Sequence, residues 1–392
     1  MYIINLPAPA NQEDTKMDYR KMEKIGAETS LLGFGCMRFP ILKDGKINEP
    51  ESERMLDAAF KGGINYFDTA YPYHDGASEP FVGRVLNKYD RSSYYLATKL
   101  PCWKVNTIED AHELFESQIS RLDKDYFDFY LLHALSKDSW KRMVDLGVIE
   151  FCEELKAKGR IRNFGFSFHD DYAVFEEIIS YRKWDFCQIQ LNYMDVNEQA
   201  GMKGYLLAEK LGIPVVVMEP IKGSSIAAFP DDITGIFQKI KPDASTASWA
   251  LRWVGSLPNV KVILSGMSTM EQLEDNLKTF SPFEPLGADE TAAVGEVVKV
   301  LNTRVNNGCT GCRYCMPCPS GLDIPYNFKV WNAYGIYRNA GQVRWDWGQD
   351  MQDQYKAKNC SECGLCEDAC PQKIHIREDL KKLQAELDAV CK

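Results

Sequence analysis

Two sets of residues in this 392-residue chain have the types and spacing for chemistry. One is a pair of cysteine runs near the C-terminus: Cys309, Cys312, Cys315 and Cys318, then Cys360, Cys363, Cys366 and Cys370. Each run closes on a proline, Pro319 and Pro371, and together they take up most of the chain's 13 cysteines. The second run reads C-x2-C-x2-C-x3-C-P, a spacing in which three thiolates hold one face of an iron–sulfur cubane and the fourth reaches to another cluster. Two [4Fe-4S] clusters are therefore expected, one on Cys309, Cys312, Cys315 and Cys370, the other on Cys360, Cys363, Cys366 and Cys318. The first run is one residue shorter, which leaves its geometry open. Paired zinc sites and disulfides compete with this reading, but zinc knuckles rarely use four cysteines at such even steps before a proline.

The other set is Asp68, Tyr73, Lys99 and His133, each at or just beyond the end of a short apolar run. A phenol with a pKa near ~10 needs help to give a proton to a carbonyl oxygen at neutral pH. An ammonium such as Lys99 supplies that help by favouring the phenolate, and Asp68 keeps the lysine charged and in place. His133 would orient and polarise the same carbonyl by hydrogen bonding. Taken singly, each residue has a structural explanation: a capping Asp, a snorkelling Lys, a surface Tyr, a satisfied core His. The set in this order carries the reading.

The elements that must position these residues show in the hydropathy pattern. Strand candidates are Leu31–Cys36, Ile64–Asp68, Tyr94–Lys99, Phe127–His133, Ile161–Ser167, Phe186–Leu191, Ile213–Met218 and Val260–Ser265. Amphipathic stretches lie between them, among them Glu51–Phe60, Thr107–Leu122, Lys141–Lys158 and Met270–Phe280. Eight strand–helix units in roughly 250 residues make a (β/α)8 TIM barrel, whose catalytic edge is at the strand C-termini. A doubly wound open sheet is the alternative, but it usually carries a Gly-rich turn after its first strand, and GFG at Gly33–Gly35 is too short for one.

The expected organisation is an N-terminal extension (1–16), the barrel (17–282), a connecting helix segment (283–304) whose helical pattern runs Asp289–Arg304 with Asp289 as its N-cap, and a mainly helical iron–sulfur domain (305–392). Between the cysteine runs lies an aromatic segment with Tyr326, Phe328, Trp331, Tyr334, Tyr337, Trp345 and Trp347, read as packing rather than as a docking face. A last amphipathic helix repeats Leu380, Leu383, Leu387 and Val390. A net charge of -10 with no basic run argues against nucleic acid and anionic membrane surfaces. No stretch has the length of a membrane span, and the first residues lack a signal pattern. Clusters on reduced thiolates imply a reducing cytoplasm, in an organism living with little oxygen.

From about Met17 to Phe280 the sequence resembles the aldo/keto reductase family. The motifs that carry the resemblance are GFGCMRFP (33–40), FDTAYPYHDGASE (67–79), ATK (97–99), LLH (131–133), RNFGFS (162–167) and EQLEDNL (271–277). It implies a tetrad of Asp68, Tyr73, Lys99 and His133, with Tyr71 as a competitor that the five-residue step from the aspartate sets aside. It also implies a nicotinamide cofactor, NADP or NAD. Ser167 and Gln188 would hold the carboxamide, with Met218 beside the ring. Lys222, Gly223 and Ser224, on to Ser225, would lie near the pyrophosphate. Ser265, Gly266 and Ser268, with Gln272, Asp275 and Asn276, would meet the adenosine end.

Three positions depart from the family: Phe168 stands where many members have an amide-binding Asn, Met218 where an aromatic ring stacks, and Gln272 where an Arg often clasps the 2'-phosphate. The barrel with a two-cluster ferredoxin-like tail, together with GFSFHD (165–170) and VMEPIKG (217–223), resembles a 4Fe-4S-binding subgroup of that family. Because a nicotinamide gives electrons in pairs and a cluster passes them singly, a flavin is a further possible cofactor. Three functions follow: an oxidoreductase acting on a small-molecule carbonyl or alcohol, an electron-transfer protein docking a ferredoxin or other redox partner, and a redox sensor.

Overall fold

A computed structural model describes residues 16–392. The expected N-terminal extension, apart from Lys16, lies outside the described residues. By internal contacts the chain divides into two compact units: the described residues up to Ile221 with Ala247–Gly287, and Lys222–Thr246 with Ala288–Lys392. This division differs from the linear one at 282/283, because Lys222–Thr246 groups with the C-terminal part.

The first unit opens on an antiparallel hairpin, β1 (Tyr19–Met22) and β2 (Ala27–Ser30). It continues with β3 (Leu32–Gly35), β4 (Tyr66–Asp68), β5 (Tyr95–Leu100), β6 (Phe127–Leu135), β7 (Ile161–Phe168), β8 (Phe186–Gln190), β9 (Val215–Met218) and β10 (Val260–Ser265). These last eight close a barrel in the order β10-β3-β4-β5-β6-β7-β8-β9, every pair parallel. The expected (β/α)8 architecture is what forms. The hairpin was not foreseen: its strands are four residues each and polar at several positions, so no alternation announces them. Met22 and Ala27 pack with the barrel interior, closing the end from which the strands start.

Side chains alternate across a strand, so every second residue faces the barrel axis. Tyr66, Ala97, Phe129, Leu131, Phe186, Val216, Val262 and Leu264 fill the interior. Two residues further along, the same rows reach Asp68, Lys99, His133, Gln188 and Met218. Close approach in this wall needs glycine: a Cβ on Gly165 would sit 2.6 Å from the Phe186 carbonyl oxygen.

Two helix expectations need correction. The stretch expected as one helix over Lys141–Lys158 is two helices, Lys137–Asp145 and Val148–Ala157, broken at Gly147, whose φ of 74° ends the first. Asp289 is not a cap but lies in the first turn of the helix Ala288–Asn302, where its carboxylate favours the positive end of the helix dipole.

The second unit packs around the helices Ile324–Tyr337 and Ile376–Cys391. Leu322, Phe328, Trp331, Trp347, Leu380, Leu383 and Leu387 form its core. Trp331 and Trp347 donate their indole N–H groups to Glu386 (2.6 Å) and Asp388 (3.0 Å) of the last helix, so the aromatic segment is chiefly packing. Trp345, 58% exposed, is the exception.

Candidate active site and cysteine hollows

At the barrel mouth four side chains meet. The Lys99 ammonium donates to Asp68 Oδ1 at 2.6 Å and to the Thr69 carbonyl at 2.7 Å, and lies 3.4 Å from the Tyr73 hydroxyl. The His133 ring stands edge-on to Tyr73, with centroids 6.1 Å apart, and Trp103 covers it at 5.0 Å. Lys99 and Asp68 are buried, whereas Tyr73 is only half-buried and sits on the turn after β4. That turn is tight: Tyr73 is followed by His74, Asp75 and Gly76, all at positive φ.

Burial and charge set the protonation states. Burial works hardest against the charge of Lys99, but Asp68 and Tyr73 beside it together more than compensate, and its pKa lies above the ordinary lysine value. Burial raises Tyr73 despite the opposing pull of Lys99, so the phenol is protonated at neutral pH. Burial, helped by the charges of Lys99 and His169, holds His133 well below the ordinary imidazole value, so it is neutral. The His133 Nδ1 and Asp68 Oδ2 atoms are buried without hydrogen-bond partners. Lys99 draws the Tyr73 pKa down, but burial outweighs it.

Ser167 and Gln188 are register partners on β7 and β8, both buried on the mouth-facing row. Ser167 Oγ accepts from the Ala134 N–H at 2.8 Å, which ties it to the residue after His133. Gln188 Nε2 reaches the Met218 sulfur at 3.6 Å, while its Oε1 is buried without a partner. An orphaned amide oxygen beside a serine hydroxyl fits a carboxamide, which brings both a donor and an acceptor. Farther round the rim the expected residues serve one another. Asn276 donates to Ser265 Oγ at 2.9 Å, both buried behind the barrel wall, because Ser265 falls on the outward row next to Leu264. Gln272 accepts from the Ser268 N–H at 2.7 Å, Ser268 donates to the Arg38 carbonyl at 2.7 Å, and Gly266 lies against the Arg38 stem. Asp275 is on the same helix, Met270–Phe280. Sequence reasoning missed Thr69, because a backbone carbonyl leaves no motif.

In the second unit the thiols form two sets. Cys309, Cys312 and Cys315 share a hollow with Cys370, walled by Ile324, Pro325 and Phe328. Cys318 lies with Cys360, Cys363 and Cys366 around the other, which Cys315 also borders. Each set thus takes its fourth cysteine from the other run. Among the described residues no group of three or more His, Cys, Asp or Glu is arranged for a single metal ion. Four thiols spread round a hollow are a donor set that fits a cubane, with one cysteine for each iron. Arg313, Glu362 and Gly364 at positive φ bend the chain between cysteines, and the Glu362 N–H donates to Cys360 Sγ at 3.4 Å. Burial pushes the Cys366 thiol up to about 11, so ligation there must displace a proton. Lys222, Gly223 and Ser224 also belong to this unit, on a loop with three successive positive φ angles.

Residues 31–299 match the aldo/keto reductase family. The chain belongs to that family. Residues 308–375 match a 4Fe-4S dicluster domain, which gives this reductase its C-terminal iron–sulfur module. It is 25% identical to L-galactose dehydrogenase of Arabidopsis thaliana over 316 residues, covering 73% of this chain and 97% of that protein. Among solved structures, the holo form of an aldo-keto reductase from Bacillus halodurans is 25% identical and superposes with a TM-score of 0.61 over 72% of this chain and 96% of that one. An aldo-keto reductase of Klebsiella pneumoniae in complex with NADPH shares the fold, with a TM-score of 0.57 at 22% identity, covering 70% of this chain and 92% of its own. The chain is therefore an aldo/keto reductase-like oxidoreductase. No helix of the described residues is long and apolar enough to cross a membrane.

Proposed function

We propose that the barrel reduces a small-molecule carbonyl, or oxidises the corresponding alcohol, with Tyr73 as general acid or base. The observation that carries this reading is the buried Lys99 ammonium, bound to Asp68 at 2.6 Å and poised 3.4 Å from the Tyr73 hydroxyl. A bound nicotinamide, NADPH or NADH, would supply two electrons and a hydrogen to the carbonyl carbon. Tyr73 would pass its phenolic proton to the carbonyl oxygen, and Lys99 would stabilise the phenolate left behind. His133, neutral, would donate a hydrogen bond to the same oxygen and fix which face is presented. Asp68 keeps Lys99 charged through the cycle. Ser167 and Gln188 would hold the carboxamide, with the orphaned Gln188 oxygen accepting from its N–H2.

The decisive experiment replaces Tyr73 by Phe in the cluster-loaded protein. Carbonyl-dependent oxidation of NAD(P)H should be lost while iron content and cluster absorbance stay unchanged; full turnover in the variant would remove Tyr73 from the mechanism.

A second reading has its own support: Cys312 and Cys363 are exposed, which would leave an edge of each cluster within reach of a redox partner such as a ferredoxin. In that case the barrel is scaffold or flavin site. Cluster reduction by a partner, indifferent to Tyr73→Phe, would favour it.

A further inference from the structure

The turn that carries Tyr73 does not hold itself. Between β4 and the helix Ser78–Leu86 the chain passes through Tyr73–Gly76, where His74, Asp75 and Gly76 have φ of 52°, 53° and 90°. Left-handed backbone at a histidine and an aspartate is uncommon and persists only where the surroundings hold it. Arg121, from the helix Ile108–Leu122, supplies much of that hold. Its Nη2 donates to the carbonyls of Tyr71 and Gly76, one on each side of Tyr73. Its guanidinium carbon also lies over the Tyr71 ring, 4.5 Å from the centre. On another side of the turn, His74 Nε2 accepts from the Phe39 N–H at 3.3 Å.

Arg121 is anchored in turn. Its Nε donates to Glu79 Oε2 at 2.8 Å, and that carboxylate is fully buried. Glu79 Oε1 accepts from Thr98 Oγ1 at 2.6 Å and from Gln118 Nε2 at 2.7 Å, and Gln118 also donates to the Lys99 carbonyl at 3.0 Å. Thr98 and Lys99 are on β5. One carboxylate therefore joins the strand that carries the ammonium to the turn that carries the phenol. A buried network with both oxygens engaged in charge-assisted hydrogen bonds is stiff. That stiffness matters because Lys99 steadies a phenolate only at short range, the attraction falling with distance.

We infer that Arg121, anchored by Glu79, is a positioning residue for Tyr73, fixing the gap between its hydroxyl and the Lys99 ammonium. The inference rests on the reading of Tyr73 as general acid or base. Arg121 acts through the turn rather than on the reacting atoms, so its loss should slow the chemical step without weakening the binding of either reactant.

Arg121→Lys in the full, cluster-loaded chain tests it. Lysine keeps the charge beside Glu79 but lacks the planar fork that reaches two carbonyls while bonding a carboxylate. The single-turnover rate of hydride transfer from NADPH to para-nitrobenzaldehyde should fall about tenfold, since a small displacement of the acid is costly. NADPH affinity and the KM for the aldehyde should stay within about twofold of wild type. The Cζ resonance of Tyr73 in isotopically labelled protein, assigned by its loss in Tyr73→Phe, should move, with iron per chain unchanged. An unmoved resonance overturns the inference, and so does a wild-type rate. If the wild-type protein does not reduce this aldehyde, the resonance decides alone. If Arg121→Lys does not fold, Arg121→Ala prepared with methylguanidinium takes its place, because the arginine is partly exposed and the free cation can enter. Removing the cation should then move the resonance and lower the rate, and no change on removal overturns the inference. Full turnover in Tyr73→Phe overturns the underlying reading of the barrel and the inference with it.

Discussion

The barrel mouth and the cysteine hollows are built in opposite ways. At the mouth, Asp68, Lys99 and His133 come from three strands, β4, β5 and β6, and each is the next inward-facing residue after a buried apolar one. Their charges are set by burial and by a short list of partners: Lys99 answers to Asp68, the Thr69 carbonyl and the Tyr73 hydroxyl. In the hollows, most of each set comes from one short run, turned by backbone in the left-handed region, and several thiols reach solvent. One centre is specified by the fold around it, the other largely by its own spacing. Damage to one should therefore leave the other's signature intact, and that independence is open to attack.

The heaviest blow falls on the buried pair. Lys99→Met should lower the chemical step by about 10²–10⁴-fold and leave the cluster absorbance unchanged. It should also destabilise the barrel, because Asp68 is left buried without its partner. Equal turnover, measured with a carbonyl substrate under single-turnover conditions, would take Lys99 out of the chemistry. Cys363→Ala is the mirror experiment: iron per chain should fall by half while nucleotide affinity of the barrel survives, and an unchanged iron count would contradict the proposed ligand set. Gln188→Ala removes the orphaned amide and should weaken nucleotide binding by about fivefold, read by fluorescence titration, with iron untouched.

The smallest effect is in pH. His133 has a depressed pKa in the folded protein, so as pH falls below the ordinary value of 6.5 the unfolded chain takes the proton first and stability declines. The loss continues down to the folded pKa, with a slope of at most about 1.4 kcal/mol per pH unit from this residue. His133→Asn should flatten that part of the melting-temperature profile; identical profiles would show that His133 is not held neutral. For carbonyl reduction, Tyr73 keeps its proton to above the ordinary phenol value, so the alkaline loss of rate should lie beyond it.

What was legible followed from periodicity and spacing. All eight barrel strands lie where apolar runs stand, because a strand buried on both faces leaves an unbroken hydrophobic signal. The helix Met270–Phe280 coincides with its sequence pattern, and Thr269 caps it. The hairpin Tyr19–Ser30 was illegible because its strands are short and their burial is supplied by residues elsewhere in the chain. At the rim, Ser265 and Asn276 bond one another behind the barrel wall, a consequence of strand parity that a motif does not carry.

The chain's own order of residues determined the cysteine sets, the strand–helix alternation and the identity of the four polar groups, since local spacing and side-chain chemistry need no distant partner to be recognised. Only the tertiary structure decided that Lys99 stays charged while His133 stays neutral, that Gln188 keeps one oxygen unpaired, and that the turn bearing Tyr73 is held by Arg121. Those outcomes depend on desolvation and on contacts between residues far apart in the chain, which exist only once the folded surroundings have closed over them.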